Sequence, residues 1–300
     1  MRIGFGLPVS GAWAGPATIA RFARRAEELG YASLWTFQRL LVGVDQPLDP
    51  GYRSVLDPLV SLAYAAAHTS RVRLGVAVVN APFVPPAYLA KQAATLDVLS
   101  GGRFDLGLGT GWSPVEFAAT GASTGRRGAR VGEYLAVLYT LWAGGVSEFA
   151  GEFYTVPPSR MAPGPVQRPG PPILLGGSAP AALRRAGRLA DGWVSRSGTD
   201  LSRIGDDIAL VREGARRAGR DPSGLRVVCR GVLRLGERGP LLSGTYRDVR
   251  ADVERLAGEG VTELFYDLNW DPLVAAPDAD PDAAVARAAE ILEALAPDPR

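Results

Sequence analysis

The residues able to do chemistry in this chain are few and unevenly placed. There is one histidine, His68, and one cysteine, Cys229. Cys/His zinc sites, multi-histidine metal centres and a disulfide framework are therefore excluded, and no metal is expected. Ser-His-Asp or Cys-His machinery would have to use His68, which sits in Ala65-Ala-Ala-His68-Thr-Ser70 at the end of an alanine-rich helix, a place that the helix dipole makes favourable for a cation. A better chemical signal is Leu175-Gly176-Gly177-Ser178-Ala-Pro180. There a strand ends, two glycines turn, Ser178 is placed to cap a helix, and Pro180 occupies the first helical turn. Unpaired N–H groups at such a helix start suit a phosphate; the plainer alternative is an ordinary capped loop. In Leu106-Gly-Leu-Gly-Thr110-Gly111-Trp112 the glycines fall at 107, 109 and 111, which is not the G-x-G-x-x-G fingerprint of dinucleotide binding. They allow backbone N–H groups to approach a ligand closely, or simply make a tight turn. Arg39 follows a second strand and reads either as a site residue or as a solvated loop arginine. Trp13, Trp35, Phe37, Trp112 and Trp193 lie at or just beyond strand ends. Aromatics there either pack or wall a flat, conjugated ligand; Trp13, Trp35 and Trp112 are the candidate pocket residues.

Such segments act together only if a scaffold gathers several strand ends. The chain has 300 residues, 47% hydrophobic and 21% charged, enough for a large core. Strands are predicted at 3–7, 33–37, 71–79, 104–109, 173–175, 192–195, 225–235 and 262–268, with helices between them. Pro16 opens the first helix, Asp57-Pro58 the second, Pro86–Leu99 forms the third, and Thr245 with Asp248 makes a capping box for a later one. The valine-rich run Arg71–Val79 suits a parallel strand covered on both faces. Eight strands alternating with helices predict an α/β (β/α)8 TIM barrel rather than an open sheet, as one domain over 1–300. The rhythm breaks at 144–171, read as an insertion between the fourth and fifth strands, with a hairpin near 149–156 and a proline-rich stretch that either reaches over the mouth or serves an interface. Net charge is +2, so no nucleic-acid partner is expected. Lys91 is the one lysine among 33 basic residues, which reads as coding bias first and anion recognition second. No run of apolar residues is long enough to span a membrane, and the N-terminus lacks a signal-peptide pattern, so a cytoplasmic location is expected.

Several short segments, in order and spacing, resemble one family. They are Ser33-Leu-Trp35, Arg71-Val-Arg-Leu-Gly75, Leu89-Ala-Lys91 through Leu96-Asp97, Leu99-Ser-Gly-Gly-Arg-Phe104 with Gly107–Trp112, Pro165-Val-Gln-Arg-Pro169, Leu175-Gly-Gly-Ser178 and Ala190-Asp-Gly-Trp193. Over about residues 1–270 the chain resembles the bacterial luciferase-like monooxygenases, specifically their coenzyme F420-dependent oxidoreductase branch. The resemblance implies a barrel with an insertion and a flavin or deazaflavin at the strands' carboxyl ends. It implies that Ala77-Val78 is the third-strand bulge, often a non-prolyl cis peptide, that supports the ring from behind. It also implies that Thr110, Gly111, Gly176, Gly177 and Ser178 hold the ribityl–phosphate tail.

One departure bears on function. Many deazaflavin-dependent alcohol dehydrogenases of the family carry Asp-His after the second strand, where this chain has Gln38-Arg39. Glutamine is not basic and arginine stays protonated, so alcohol oxidation loses its usual base. Gln38 and Arg39 are accordingly the candidate catalytic residues. Arg39 suits a carbonyl, a nitro group or the deazaflavin's anionic edge, which favours reduction of a small organic substrate by the reduced cofactor. The alternatives are an FMN-dependent monooxygenase that uses oxygen and a non-catalytic cofactor-binding protein. The family's habit leaves a homodimer open.

Overall fold

The computed structural model describes residues 1–47 and 49–298; Leu48, in the loop between Gly43 and Arg53, and the last two residues of the 1–300 assignment lie outside the described residues. The strands in chain order are β1 (Arg2–Gly6), β2 (Ser33–Thr36), β3 (Arg73–Asn80), β4 (Phe104–Gly109), β5 (Ser147–Ala150), β6 (Thr155–Ser159), β7 (Ile173–Gly176), β8 (Gly192–Val194), β9 (Arg226–Val232), β10 (Arg234–Leu235), β11 (Ser243–Gly244) and β12 (Glu263–Asp267). Eight of these, in the order β1-β2-β3-β4-β7-β8-β9-β12, close into a parallel barrel. The fold is the (β/α)8 barrel, with β5 and β6 as an antiparallel hairpin in the insertion.

Strand side chains alternate between two cores. Those facing outward, among them Phe5, Leu34, Leu74, Phe104 and Leu264, merge with the apolar faces of the surrounding helices into the main core. Those facing inward form a small cluster of Trp35, Ala77, Leu174, Val194, Val228 and Phe265. Trp35 stacks on Phe265 with ring centroids 5.1 Å apart. Gly75 is required beside it, since a Cβ there would lie 2.5 Å from the Trp35 ring.

Below that layer, at the strands' amino ends, the barrel is plugged by paired charged side chains. Asp105 is fully buried and accepts from Arg73 (Nη2–Oδ1 2.6 Å) and Arg226 (Nη1–Oδ1 2.7 Å). Arg226 also reaches Glu263 at 3.1 Å, and Glu263 accepts from Ser33 Oγ at 2.6 Å. Burial alone would push the Asp105 carboxyl up, but the two guanidiniums outweigh it and hold the group below its ordinary value. A depressed folded-state pKa means that this stabilisation is complete above the unfolded value, near pH 4, and is lost as pH falls through the folded value. Asp105→Asn should therefore cost about 3 kcal/mol, because it takes from two half-buried guanidiniums the carboxylate they share, and the loss should shrink under acid. Urea unfolding of both proteins at pH 7 and pH 3 measures it; an equal loss at both would remove Asp105 from the pH response.

Above the apolar layer, β3 is irregular. Its register on β4 passes from Val76↔Leu106 to Val79↔Leu108, so Ala77 and Val78 together face Gly107. The Ala77–Val78 peptide bond is cis. This bulge lies at the barrel's carboxyl end, where it forms the floor of a cleft.

The anticipated caps are present at Asp57, which accepts from Leu59 and Val60, and at Thr245 with Asp248. A short helix, Pro114–Thr120, was not expected. Ser113-Pro-Val-Glu116 carries the capping-box pattern that announces it, and Ser113 is its N-cap. The insertion does not cover the mouth. Its hairpin packs along the helix Arg127–Trp142, with Glu133 accepting from the backbone of residues 152–154. Gln167 pins its return segment to Asp97 and to the Phe104 carbonyl, at the amino end of β4. Among the described residues no helix is long and apolar enough to cross a membrane.

Candidate active site

A cleft of ≈ 480 Å³ opens at the carboxyl ends of the strands, the face on which barrels of this class build their sites. It gathers most of the candidates from distant parts of the chain: Gln38, Arg39, Ala77, Val78, Thr110, Gly111, Trp112, Gly176, Gly177 and Ser178 all line it. It also holds Phe37, Tyr52, Asn80, Ser195, Arg196 and Arg230.

The floor is the bulge, and glycines make room for it. A Cβ on Gly107 would overlap the Val76 carbonyl oxygen, and one on Gly109 would lie 2.6 Å from Val78 Cγ2 and 2.8 Å from Asn80 Oδ1. Gly107 thus makes room for the β3 backbone and Gly109 for the Val78 and Asn80 side chains, which is a different task from exposing N–H groups to a ligand. Polar bonds then brace the rim. Gln38 Oε1 accepts from the Asn80 N–H at 2.9 Å, and Asn80 Oδ1 accepts from the Gly111 N–H at 3.1 Å. Gln38 is therefore spent on joining the loops after β2, β3 and β4, and its carbonyl oxygen is already engaged.

Arg39 is not a solvated loop residue: its side chain is 4% exposed. The guanidinium lies in the corner made by Tyr52 and Trp112, 4.5 Å from each ring centroid. Its Nη1 is 3.0 Å from Oε2 of Glu116, itself buried. The approach is off-axis, since neither Nε nor Nη1 makes an aligned hydrogen bond. The other Glu116 oxygen accepts from the Leu40 N–H at 2.8 Å. The unanticipated helix Pro114–Thr120 thus supplies the counter-charge that allows a buried arginine in the wall.

On the opposite side, Gly177 has φ +135°, and a Cβ there would meet Ala182 Cβ at 2.7 Å. The Trp193 Nε1–H donates to the Gly177 carbonyl at 2.8 Å and fixes the turn. The helix that follows is Pro180–Leu189, with Ala179 as N-cap, no side-chain cap and no acidic residue in its first turn. Ser178 is exposed and, against expectation, is not the cap, because the helix starts one residue later than a Ser178 cap requires. Ser178, which lines the cleft, thus stands directly before a helix start that has no side-chain cap, a place that favours a phosphate. Because Gly177 holds a conformation that side chains avoid, a carboxylate is better tested at Ser178. Ser178→Asp should keep the protein's melting temperature and weaken binding of a phosphate-bearing cofactor at least tenfold, read by equilibrium titration. Unchanged affinity would place the phosphate elsewhere.

Two pocket candidates are corrected. Trp13 is buried in the outer core, edge-on to Phe22 at 5.4 Å. Trp35 points down the barrel, with Nε1 donating to Ser33 Oγ at 2.8 Å. Trp112 alone of the three lines the cleft, and it is half-exposed. His68 lies beyond the end of the helix Pro58–Ala66, edge-on to Tyr64, away from the cleft. Cys229 faces the outer core, and burial pushes its thiol up to about 12, so it is no nucleophile. No sequence motif marks Arg230, although Arg226, Val228 and Arg230 alternate on one face of β9 and so approach the barrel's carboxyl end together with what fills it.

Comparison with known proteins agrees with this architecture. A family model described as luciferase-like monooxygenase matches residues 4–239. An uncharacterised protein of Mycobacterium tuberculosis is 34% identical over 271 residues, covering 86% of this chain and 87% of its own length. An F420-dependent glucose-6-phosphate dehydrogenase of Nakamurella multipartita is 34% identical over 224 residues, 73% of this chain and 63% of that protein. Among solved structures, the monooxygenase RslO1 from Streptomyces bottropensis superposes with a TM-score of 0.79 at 25% identity, covering 98% of both chains. An F420-dependent secondary alcohol dehydrogenase in complex with an F420-acetone adduct gives 0.77 at 18% identity, again over 98% of both, a likeness of fold.

Proposed function

This chain belongs to the luciferase-like monooxygenase family and is an oxidoreductase, and from that premise we propose that it uses reduced coenzyme F420 to reduce a small organic substrate. The relatives named for F420 support the choice of cofactor. The cleft fits a ring bearing a phosphate tail: an apolar bulge forms its floor, glycines at 176 and 177 leave an open turn, and an uncapped helix start stands beside them.

The observation that carries the direction is the chemistry of the lining. Among the described residues that line the cleft there is no Asp, Glu, His, Lys or Cys; the charged groups are Arg39, Arg196 and Arg230. Oxidation of an alcohol needs a group to take the hydroxyl proton, and the lining offers no carboxylate or imidazole for it, only the Tyr52 phenol, which beside the Arg39 cation is better suited to donate a hydrogen bond. Reduction needs the reverse, a positive wall against which negative charge develops as a hydride arrives. When bound, reduced F420 supplies that hydride, two electrons with one proton nucleus. Arg39 and its neighbours then stabilise the charge that appears on a carbonyl, nitro or imine acceptor, and solvent at the open mouth supplies the balancing proton. Tyr52, Trp112 and Phe37 give a flat substrate an apolar surface.

Parallel titration of the apo-protein with F420 and with FMN is the test. F420 should bind in preference, and the reduced form should then be consumed with enones, nitroaromatics or imines. Equal or tighter FMN binding with oxygen uptake in the presence of a flavin reductase would overturn the reading in favour of a monooxygenase. Saturable F420 binding without turnover across the panel would mark a cofactor-binding protein.

A further inference from the structure

We propose that the Tyr52 phenol is the proton donor of the cleft, the group through which a solvent proton reaches the acceptor once a hydride has arrived. The inference rests on the reductive reading above. Tyr52 lines the cleft, and its Oη has no hydrogen-bond partner among the described residues. That oxygen is not one of the buried unpartnered atoms, so the hydroxyl is open to a ligand. The other hydroxyls among the described lining residues, on Thr110, Ser178, Ser195 and Ser197, are alkyl alcohols, and the cations are guanidiniums. Neither kind gives up a proton near neutrality, and a phenol is far the more acidic hydroxyl.

The phenol has a fixed place. Its ring packs edge-on to Phe37 at 6.0 Å and to Trp270 at 5.2 Å. The chain on either side is tied to the loop after β1: Ser10 Oγ donates to the Gly51 carbonyl at 2.6 Å, and the Gly11 N–H donates to the Ser54 carbonyl at 2.9 Å. Gly51 itself sits so close to the end of β12 that a Cβ would overlap the Asn269 carbonyl oxygen. Arg39 makes this place useful, since its guanidinium lies 4.5 Å from the Tyr52 centroid. An acceptor oxygen drawn to that cation comes beside the phenol, and negative charge left on Oη after transfer stays beside the same cation. For an enone the balance is simple. The hydride adds to the β-carbon with its two electrons, and the double-bond pair becomes an enolate. That pair takes the Tyr52 proton at the α-carbon, the O–H pair stays on the phenol oxygen, and a solvent proton restores the phenol.

The test compares two acceptors that differ in their need for a proton. Tyr52→Phe keeps the ring and its packing and removes the donor. Titration should show F420 affinity unchanged, and kcat for a 2-methyl cyclic enone with reduced F420 should fall by about 10²-fold or more. A nitroalkene should still be consumed at close to the wild-type rate, because hydride addition gives a nitronate that leaves as a stable anion and is seen by its ultraviolet absorbance. A purely structural role would slow both acceptors alike. Wild-type protein should also set one configuration at the α-carbon of the enone product, and Tyr52→Phe should give a mixture as solvent protonates the freed enolate. Equal rates with both acceptors lost, enone reduction retained, or F420 affinity lost in a folded variant overturns the proposal. Should the variant not fold, a mixed configuration from wild-type protein overturns it equally. If wild-type protein binds F420 and reduces neither acceptor, the reductive reading and this proposal fall together. If it binds FMN and not F420, the cofactor reading falls by itself, and the same two acceptors with reduced FMN under anaerobic conditions decide the role of Tyr52.

Discussion

Replacing Arg39 with methionine is expected to lower kcat and kcat/KM together by about 10²-fold while leaving cofactor affinity nearly unchanged. The size is that of losing one preorganised donor aimed at developing charge. The structure strengthens the case for preorganisation, because the guanidinium packs on both Tyr52 and Trp112 and is paired with the buried Glu116. Nε and Nη1 are buried in the wall, Nη1 against Glu116, so Nη2 is the nitrogen of this held guanidinium that is left to meet a ligand in the cleft. The substitution has a second consequence. Glu116 would be left buried without its counter-charge, a change that costs about 3–5 kcal/mol when one member of such a pair is removed. Arg39→Met/Glu116→Gln should recover much of that stability and none of the activity. Normal turnover with weakened cofactor binding would instead make Arg39 a cofactor anchor.

Gly107→Ala should have the largest effect on the scaffold. Gly107 faces the bulge inside the barrel, and the added methyl would occupy the position of the Val76 carbonyl oxygen, which is backbone and cannot rotate aside. Overpacking of this kind costs about 1–3 kcal/mol or more. Here the β3 backbone must shift, so the cleft floor moves with it, and cofactor binding should be lost even in protein that remains folded. Gly224→Ala is the matched control, since a Cβ there meets nothing within 4 Å; it should stay within about 0.5 kcal/mol of wild type and bind normally. Full cofactor affinity in a folded Gly107→Ala protein would separate the bulge from binding.

Much of this molecule follows from local pattern. Alternating strand and helix signals give the barrel, because each unit buries one sheet face and one helix stripe whatever its distant neighbours are. The caps at Asp57 and Thr245 and the break at the insertion are equally local. Exclusion of Cys/His zinc sites, multi-histidine metal centres and a disulfide framework needs only the residue counts. The bulge at Ala77-Val78 and the turn at Gly176–Ser178 are legible through resemblance to a family whose short segments keep their spacing.

Tertiary structure alone decided which side chains meet. Barrel strands are apolar on both faces, so alternation shows that Leu34 and Trp35 point to opposite sides without showing which side is the interior. Trp35 therefore resembled a pocket wall until closure of the barrel turned it inward onto Phe265. Trp13 lies in a short 3-10 turn with no periodicity to orient it, and packing against Phe22 settles its place. The charges of the cleft depend on contacts still more remote. Arg39 is paired through a helix beyond the fourth strand, and Arg230 reaches the Ala77 carbonyl across 153 residues of chain. Each guanidinium is an ordinary surface residue by composition. It becomes a buried, fixed charge only because folding brings an acid and aromatic faces around it and takes water away.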